Sequence, residues 1–261
     1  MASNSVMSLD TFVRTVTAPP AEFAWAWALE RPLSDSLRVS IVPALTGIAT
    51  ALPREDELIL WFGAPQTGAQ ETLGGPSLSS ALSDDECVRA MSFRFDADRW
   101  AFAAAHAGLR RLLGPMLGCA PRALRFRAGV NGKPCVDDNG RDAAVQFNIS
   151  HTRGCVSVAV ARRAVGIDVE RRRELPDLMA VARTAFASEA CASLAARPEW
   201  GARTALFYRY WTLGEAFIKA TGEGIAQDLK SFSFTEEGPP ALTRVSAAWG
   251  PARRWRFCCQ P

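Results

Sequence analysis

GIDVE, from Gly166 to Glu170, and WTLGEAFIKA, from Trp211 to Ala220, decide how this chain is read. In the first, apolar Ile167 and Val169 alternate with Asp168 and Glu170, the period of a strand whose two acids share one face. The second reads as helix, where four-residue spacing stacks Glu215 and Lys219 one turn apart on one side. If the segments touch, the carboxylates of Asp168, Glu170 and Glu215 converge with one lysine. Hard carboxylate oxygens suit Mg²⁺, which keeps waters and is usually completed by substrate phosphates. Taken alone, the segments fit equally well a strand ending at the surface and an ordinary helix ion pair worth about 0.2 to 0.5 kcal/mol.

Composition narrows the setting. At 261 residues the chain is long enough for one large domain or two modest ones, and 48% hydrophobic residues favour a folded globule. A net charge of +3 is too mild to mark a nucleic-acid binder. Seven scattered cysteines, none spaced CxxC, and two histidines make a structural zinc site a poor fit and point to free thiols in a reducing cytoplasm. No secretory signal opens the sequence, and the longest apolar run, 41–52, is interrupted and too short to span a bilayer. A cytoplasmic monomer that binds neither nucleic acid nor membrane is the expectation.

Residues 1–55 lack clear periodicity and read as an N-terminal extension, partly ordered through the tryptophans of WAWAL at Trp25–Leu29. ELILWF from Glu57 predicts a buried strand, followed by a Gly/Pro/Ser-rich loop over 63–80. Ser83 and Glu86 make a capping box. An apolar stripe predicts a long helix over 96–117, with strands at 124–126, 145–149, 156–161 and 165–169. NGKP at Asn131–Pro134 and DDNG at Asp137–Gly140 read as turns. Helices follow over 178–186, 188–196 and 202–220, the last stopped by Gly222, then strands at 231–234, 242–247 and 254–258. The pattern argues for an α+β fold and, with no repeat at the level of sequence identity, is compatible with two similar lobes related by a pseudo-twofold, each a long helix on a small, mostly antiparallel sheet: 56–160, then 161–261 with the candidate metal site.

FNISHTRGCVSVAVARRAVGIDVE (147–170) with WTLGEAFIKATGEGI (211–225) resembles the Sfp-type, surfactin-synthetase-activating class of 4'-phosphopantetheinyl transferases. FRFDADRWAFAAAHAGLRRLLG (93–114), NGKPCV (131–136) and LKSFSF (229–234) are similar to further blocks of that family, in the same order over roughly 57–258. The resemblance implies a holo-[carrier protein] synthase that moves 4'-phosphopantetheine from coenzyme A to a serine of an apo acyl or peptidyl carrier protein and releases 3',5'-ADP. Such carriers serve fatty-acid, polyketide or nonribosomal-peptide assembly.

By the same resemblance Asp168, Glu170 and Glu215 hold Mg²⁺ against the coenzyme A pyrophosphate. Glu215 takes the serine proton and Lys219 assists the departing 3',5'-ADP. Ser150 and His151, the SH pair, contact the 3'-phosphate region, with Lys133 of GKP and Arg99 of DADRW as cationic clamps. Arg99 could equally pair with Asp96 or Asp98, and Arg110 and Arg111 fit an exposed helix face as well as the family's pattern; His106 has no assigned role. Ser150 and His151 do not read as a hydrolase pair, because neighbours on a strand face opposite ways. The run Arg171–Arg173 is either solvated charge or a steering patch for an acidic carrier. Gly214 departs from the family, which usually has lysine before the glutamate, and motivates the alternative of a coenzyme-A-binding scaffold with weak or lost activity. A metal-dependent phosphohydrolase using the same carboxylates is the third reading.

Overall fold

A computed structural model describes residues 13–16, 18–31, 37–42, 51–65, 76–138, 141–142, 145–223 and 228–260. Its strands are β1 (Val13–Val16), β2 (Phe23–Glu30), β3 (Arg38–Ile41), β4 (Glu57–Pro65), β5 (Phe126–Ala128), β6 (Pro134–Asp138), β7 (Arg141–Asp142), β8 (Gln146–Thr152), β9 (Cys155–Ala161), β10 (Val165–Arg171), β11 (Ser233–Phe234), β12 (Leu242–Arg244) and β13 (Trp255–Gln260). The helices are α1 (Pro76–Ser79), α2 (Asp84–Met91), α3 (Asp96–Met116), α4 (Leu178–Ala185), α5 (Ser188–Ala195) and α6 (Trp200–Thr221). The α+β class read from the sequence is what these elements form.

Alternation along the strands builds four layers. In β4, Ile59 and Trp61 face one core while Leu58, Leu60 and Phe62 face another. The first core lies under α3, which covers one face of a sheet ordered β1-β4-β9-β8, with β3 parallel beside the other half of β4. Leu58, Leu60 and Phe62 meet the second sheet, β10-β2-β13. In β2 the large residues Phe23, Trp25, Trp27 and Leu29 fill the space between the sheets, and Ala24, Ala26 and Ala28 face the core under α6. Small side chains on that face let the helix lie close.

The expected extension therefore does not stand apart from the lobes. Its residues 23–30 are the central strand of the second sheet, antiparallel to β10 with Asp168 opposite Ala26, and antiparallel to β13 with Cys258 opposite Trp27. Trp25 and Trp27 are buried between the sheets. The halves also differ, with five strands in one main sheet and three in the other.

Most predicted elements fall within a few residues of their place, although residues 76–79 of the expected loop form α1 and the strand expected at 231–234 is shortened to Ser233–Phe234. The strand expected at 124–126 begins at Phe126, the one expected at 242–247 stops at Arg244, and the loop expected from Gly63 starts after β4 ends at Pro65. Part of that loop, residues 66–75, and part of the DDNG turn, residues 139–140, lie outside the described residues. In NGKP, Asn131 sits at φ 55 and Gly132 at φ 82, and α6 ends on Gly222 at φ 75, the left-handed cap its glycine predicted.

The Ser83 capping box is present, and its glutamate does more than cap. Glu86 also accepts from Arg110 Nε at 2.6 Å and lies 3.1 Å from His106 Nδ1. Arg110 is 3% exposed rather than on a solvated face. It donates to the carbonyls of Pro121 and Leu124 and lies over the Phe126 ring. Burial alone would raise the Glu86 pKa, but its bonds to His106, Arg110 and the Ser83 N–H bring it down to about 2. A depressed carboxyl pKa stabilises the fold above the unfolded value and loses that contribution as pH falls through the folded one. Glu86→Gln should thus cost about 2 to 3 kcal/mol above pH 5, shrinking between pH 4.5 and 2, as read by urea unfolding across that range.

Candidate active site

α6 reaches β10 because Gly166 lacks a side chain. A Cβ there would stand 2.0 Å from the Ala216 carbonyl oxygen and 2.5 Å from the Ala220 nitrogen, so helix and strand backbones are in direct contact. The face of β10 that carries Asp168 and Glu170 therefore lies against the stripe of α6 that carries Glu215 and Lys219. The fold brings Lys219 into contact with Asp168 and leaves Glu170 and Glu215 within reach of the Asp168 charge.

Asp168 is 3% exposed. Its Oδ1 accepts from Lys219 Nζ at 2.6 Å and from the Ser150 hydroxyl at 3.0 Å, while Oδ2 is buried without a hydrogen-bond partner. Glu170 is half-buried, and its Oε1 accepts from Trp211 Nε1 at 3.3 Å. Burial and then the Asp168 charge push the Glu170 carboxyl up to about 7, against the Trp211 N–H and Lys219; Glu215 adds further repulsion. Burial also raises Glu215, with Lys219 opposing and Asp168 reinforcing. Among the described residues no three acidic, cysteine or histidine side chains close around a point as a finished metal cage. A magnesium site seldom needs one, since substrate phosphates and water complete it. The donor set fits such a cation: an unpartnered buried carboxylate oxygen, flanked by two carboxyls that lose by ionising beside it.

The expected phosphate contacts are not gathered around one cavity. His151 lines a cleft of about 780 Å³ with Glu170, Asp98, Arg153 and Arg171–Arg173. Its imidazole pKa is lowered first by desolvation, then by His106 and Lys219. Lys133 lines a separate cavity of about 490 Å³, where its Nζ donates to the carbonyls of Val165 at 3.0 Å and Ala220 at 3.2 Å; burial brings its pKa down to about 8. Arg99 takes the local pairing, donating to Asp96 at 2.6 Å and to the Phe93 carbonyl at 3.1 Å. Ser150 is 6% exposed and bonded to Asp168, Lys219 and the Val169 N–H.

Gly214 is buried on the side of α6 away from open space. A side chain there would first meet Leu229 Cδ2 at 2.5 Å and then the Phe232 ring. A lysine would have to push Leu229 aside to leave the core.

Sequence reasoning missed two supports of the site. Trp211 holds Glu170, and Tyr208 fastens the arginine run by accepting the Arg173 N–H at 3.0 Å and donating to the Arg171 carbonyl at 3.3 Å. Their position on α6 carried the signal: Tyr208 and Trp211 precede Glu215 by seven and four residues, the spacing of one helical face.

Comparisons with known proteins point to one family. Residues 164–260 match the 4'-phosphopantetheinyl transferase superfamily. The chain is 33% identical to the 4'-phosphopantetheinyl transferase HetI of Nostoc sp. over 198 residues, 74% of this chain and 81% of the relative. It is 30% identical to a putative 4'-phosphopantetheinyl transferase of Synechocystis sp., covering 71% of this chain and 74% of the relative. With the 4'-phosphopantetheinyl transferase Sfp of Bacillus subtilis it shares 36% identity over 110 residues, 42% of this chain and 46% of the relative. With β10 and α6 inside the matched region, the chain belongs to the 4'-phosphopantetheinyl transferase family.

Proposed function

We propose that the chain transfers 4'-phosphopantetheine from coenzyme A to a serine of an apo acyl or peptidyl carrier protein, with Mg²⁺ held by Asp168, Glu170 and Glu215. The observation that carries the reading is Asp168: one buried oxygen is held by Lys219 and Ser150, and the other is left open beside two carboxyls whose pKa values are raised. Bound there, Mg²⁺ supplies charge neutralisation on the pyrophosphate and makes the attacked phosphorus more electrophilic.

The protein's own groups do the rest. The serine oxygen bonds to the phosphorus of the phosphopantetheine half, the pyrophosphate bond breaks, and 3',5'-ADP departs with that bond's electron pair. Glu215 accepts the serine proton, directly or through a water; burial raises its basicity toward what proton transfer near neutral pH requires. Lys219, one turn along the same face, neutralises the departing phosphate, for which its ammonium must turn from Asp168. Arg171–Arg173 line the cleft beside Glu170 and supply positive charge for the donor and for an acidic carrier, while His151, whose burial disfavours the charged ring, offers an imidazole N–H. In-line transfer of this kind rests on positioning and charge neutralisation.

No described helix is long and apolar enough to cross a membrane. We read the setting as cytoplasmic and the active unit as one chain. The test is carrier dependence. Release of 3',5'-ADP from coenzyme A in Mg²⁺ should require apo-carrier and cease when its serine is replaced by alanine. Hydrolysis of coenzyme A at the same rate without carrier would instead make the chain a phosphohydrolase.

A further inference from the structure

We infer that Lys133, Asn148 and Ser150 form a seam of side chains that completes the free edge of β10 and fixes Asp168. In this role they are positioning residues and not phosphate contacts. Only the kinetic consequence of the seam rests on the transferase reading.

β10 pairs with β2 on one side alone. Its other edge runs beside β8, yet the two strands share no backbone ladder. An unpaired polar group away from water costs about 1 to 3 kcal/mol, so the edge must be satisfied some other way. Side chains from β8 and the NGKP turn meet one backbone group at each of Val165, Ile167 and Val169. The Ile167 N–H donates to Asn148 Oδ1 at 2.9 Å, the Val169 N–H to Ser150 Oγ at 3.3 Å, and the Val165 carbonyl accepts from Lys133 Nζ at 3.0 Å. Acceptors stand opposite N–H groups and a cation opposite a C=O. Lys133 also binds the Ala220 carbonyl, where the C-terminal end of the α6 dipole favours positive charge.

Two consequences follow from this chemistry. Directly paired strands lie about 4.7 to 4.9 Å apart, and a side chain placed between the backbones widens that spacing. β8 and β10 are thereby held apart rather than joined into one continuous sheet, and the cleft that His151 and Glu170 line lies at their ends. Ser150 is also saturated. A hydroxyl has one hydrogen to donate and two lone pairs, and Ser150 gives the first to Asp168 Oδ1 and the others to Val169 N–H and Lys219 Nζ. The seam thus decides which Asp168 oxygen meets Lys219 and which is left open.

Amide hydrogen exchange by NMR on the full chain, without substrate, tests the seam. Asn148→Ala should speed exchange at Ile167, and Ser150→Ala at Val169, each about tenfold, while β9 amides keep their protection. Asn148→Asp and Ser150→Thr keep the accepting oxygen and should restore protection. In transfer assays Ser150→Ala should lower kcat by more than it raises KM for coenzyme A. Unchanged protection in the alanine variants overturns the seam, as does an even loss across β9 and β10. A raised KM with Val169 still protected would return Ser150 to the phosphates and overturn it too. A chain with the expected exchange pattern but no transfer would overturn the proposed function and leave the seam standing.

Discussion

Asp168→Ala is expected to lower kcat/KM for transfer about a thousandfold, roughly 4 kcal/mol of transition-state stabilisation. The carboxylate is 3% exposed and supplies both the buried oxygen without a partner and the anion that places Lys219. On the proposed reading its removal takes one ligand from the metal, and it frees the lysine of its main constraint. Breaking a fully buried pair costs about 3 to 5 kcal/mol of stability, but the Lys219 side chain keeps 26% of its exposure, so a loss of about 1 to 2 kcal/mol is expected. Asp168→Asn preserves size and an acceptor for Ser150 while losing the charge, and should match the alanine variant in activity while staying closer to wild type in stability. Transfer kinetics and urea unfolding on the same preparations separate the effects. Activity within threefold of wild type in either variant would take Asp168 out of the chemistry.

Gly166→Ala should be the most damaging single methyl group near the site. The added carbon would lie 2.0 Å from the Ala216 oxygen, 2.5 Å from the Ala220 nitrogen and 3.0 Å from the Lys219 carbonyl carbon. All three are backbone atoms, so no rotamer change relieves the overlap and α6 must lift from β10. Overpacking of this kind costs about 3 kcal/mol or more. The same movement separates Glu215 and Lys219 from Asp168, and activity should fall even at temperatures where the variant is folded. Gly201 lies in the first turn of α6 with nothing near its missing Cβ. There the same change should stabilise by about 0.4 to 1 kcal/mol through loss of unfolded-state entropy. Equal stabilities for the two variants would contradict the close approach at Gly166.

These contrasts show where the sequence was legible. The acid pair of GIDVE, the Glu215–Lys219 stripe, the Ser83 cap and the Gly222 stop are local patterns, and each stands where its period placed it. β2 was not legible because its alternation is of size: tryptophans and alanines are both apolar, so a two-residue period leaves no polar trace. Its partners, β10 and β13, lie far along the chain and leave no mark in WAWAL. For Arg110 the sequence left an exposed face and the family's pattern equally open, because its counterion, Glu86, belongs to another helix. Ser150 and Lys133 have the chemistry of phosphate contacts, and nothing in FNISHT or NGKP reveals that a strand edge takes up their hydrogen bonds.

The most direct measurement is the intact mass of an apo-carrier protein incubated with coenzyme A, Mg²⁺ and either the wild-type chain or Asp168→Ala. Wild type should add the mass of one phosphopantetheine at the carrier serine, and the variant should add none in the same time. No adduct on any carrier, alongside measurable coenzyme A binding, would contradict transfer and leave a coenzyme-A-binding scaffold, and equal adduct from both chains would contradict the role given to Asp168.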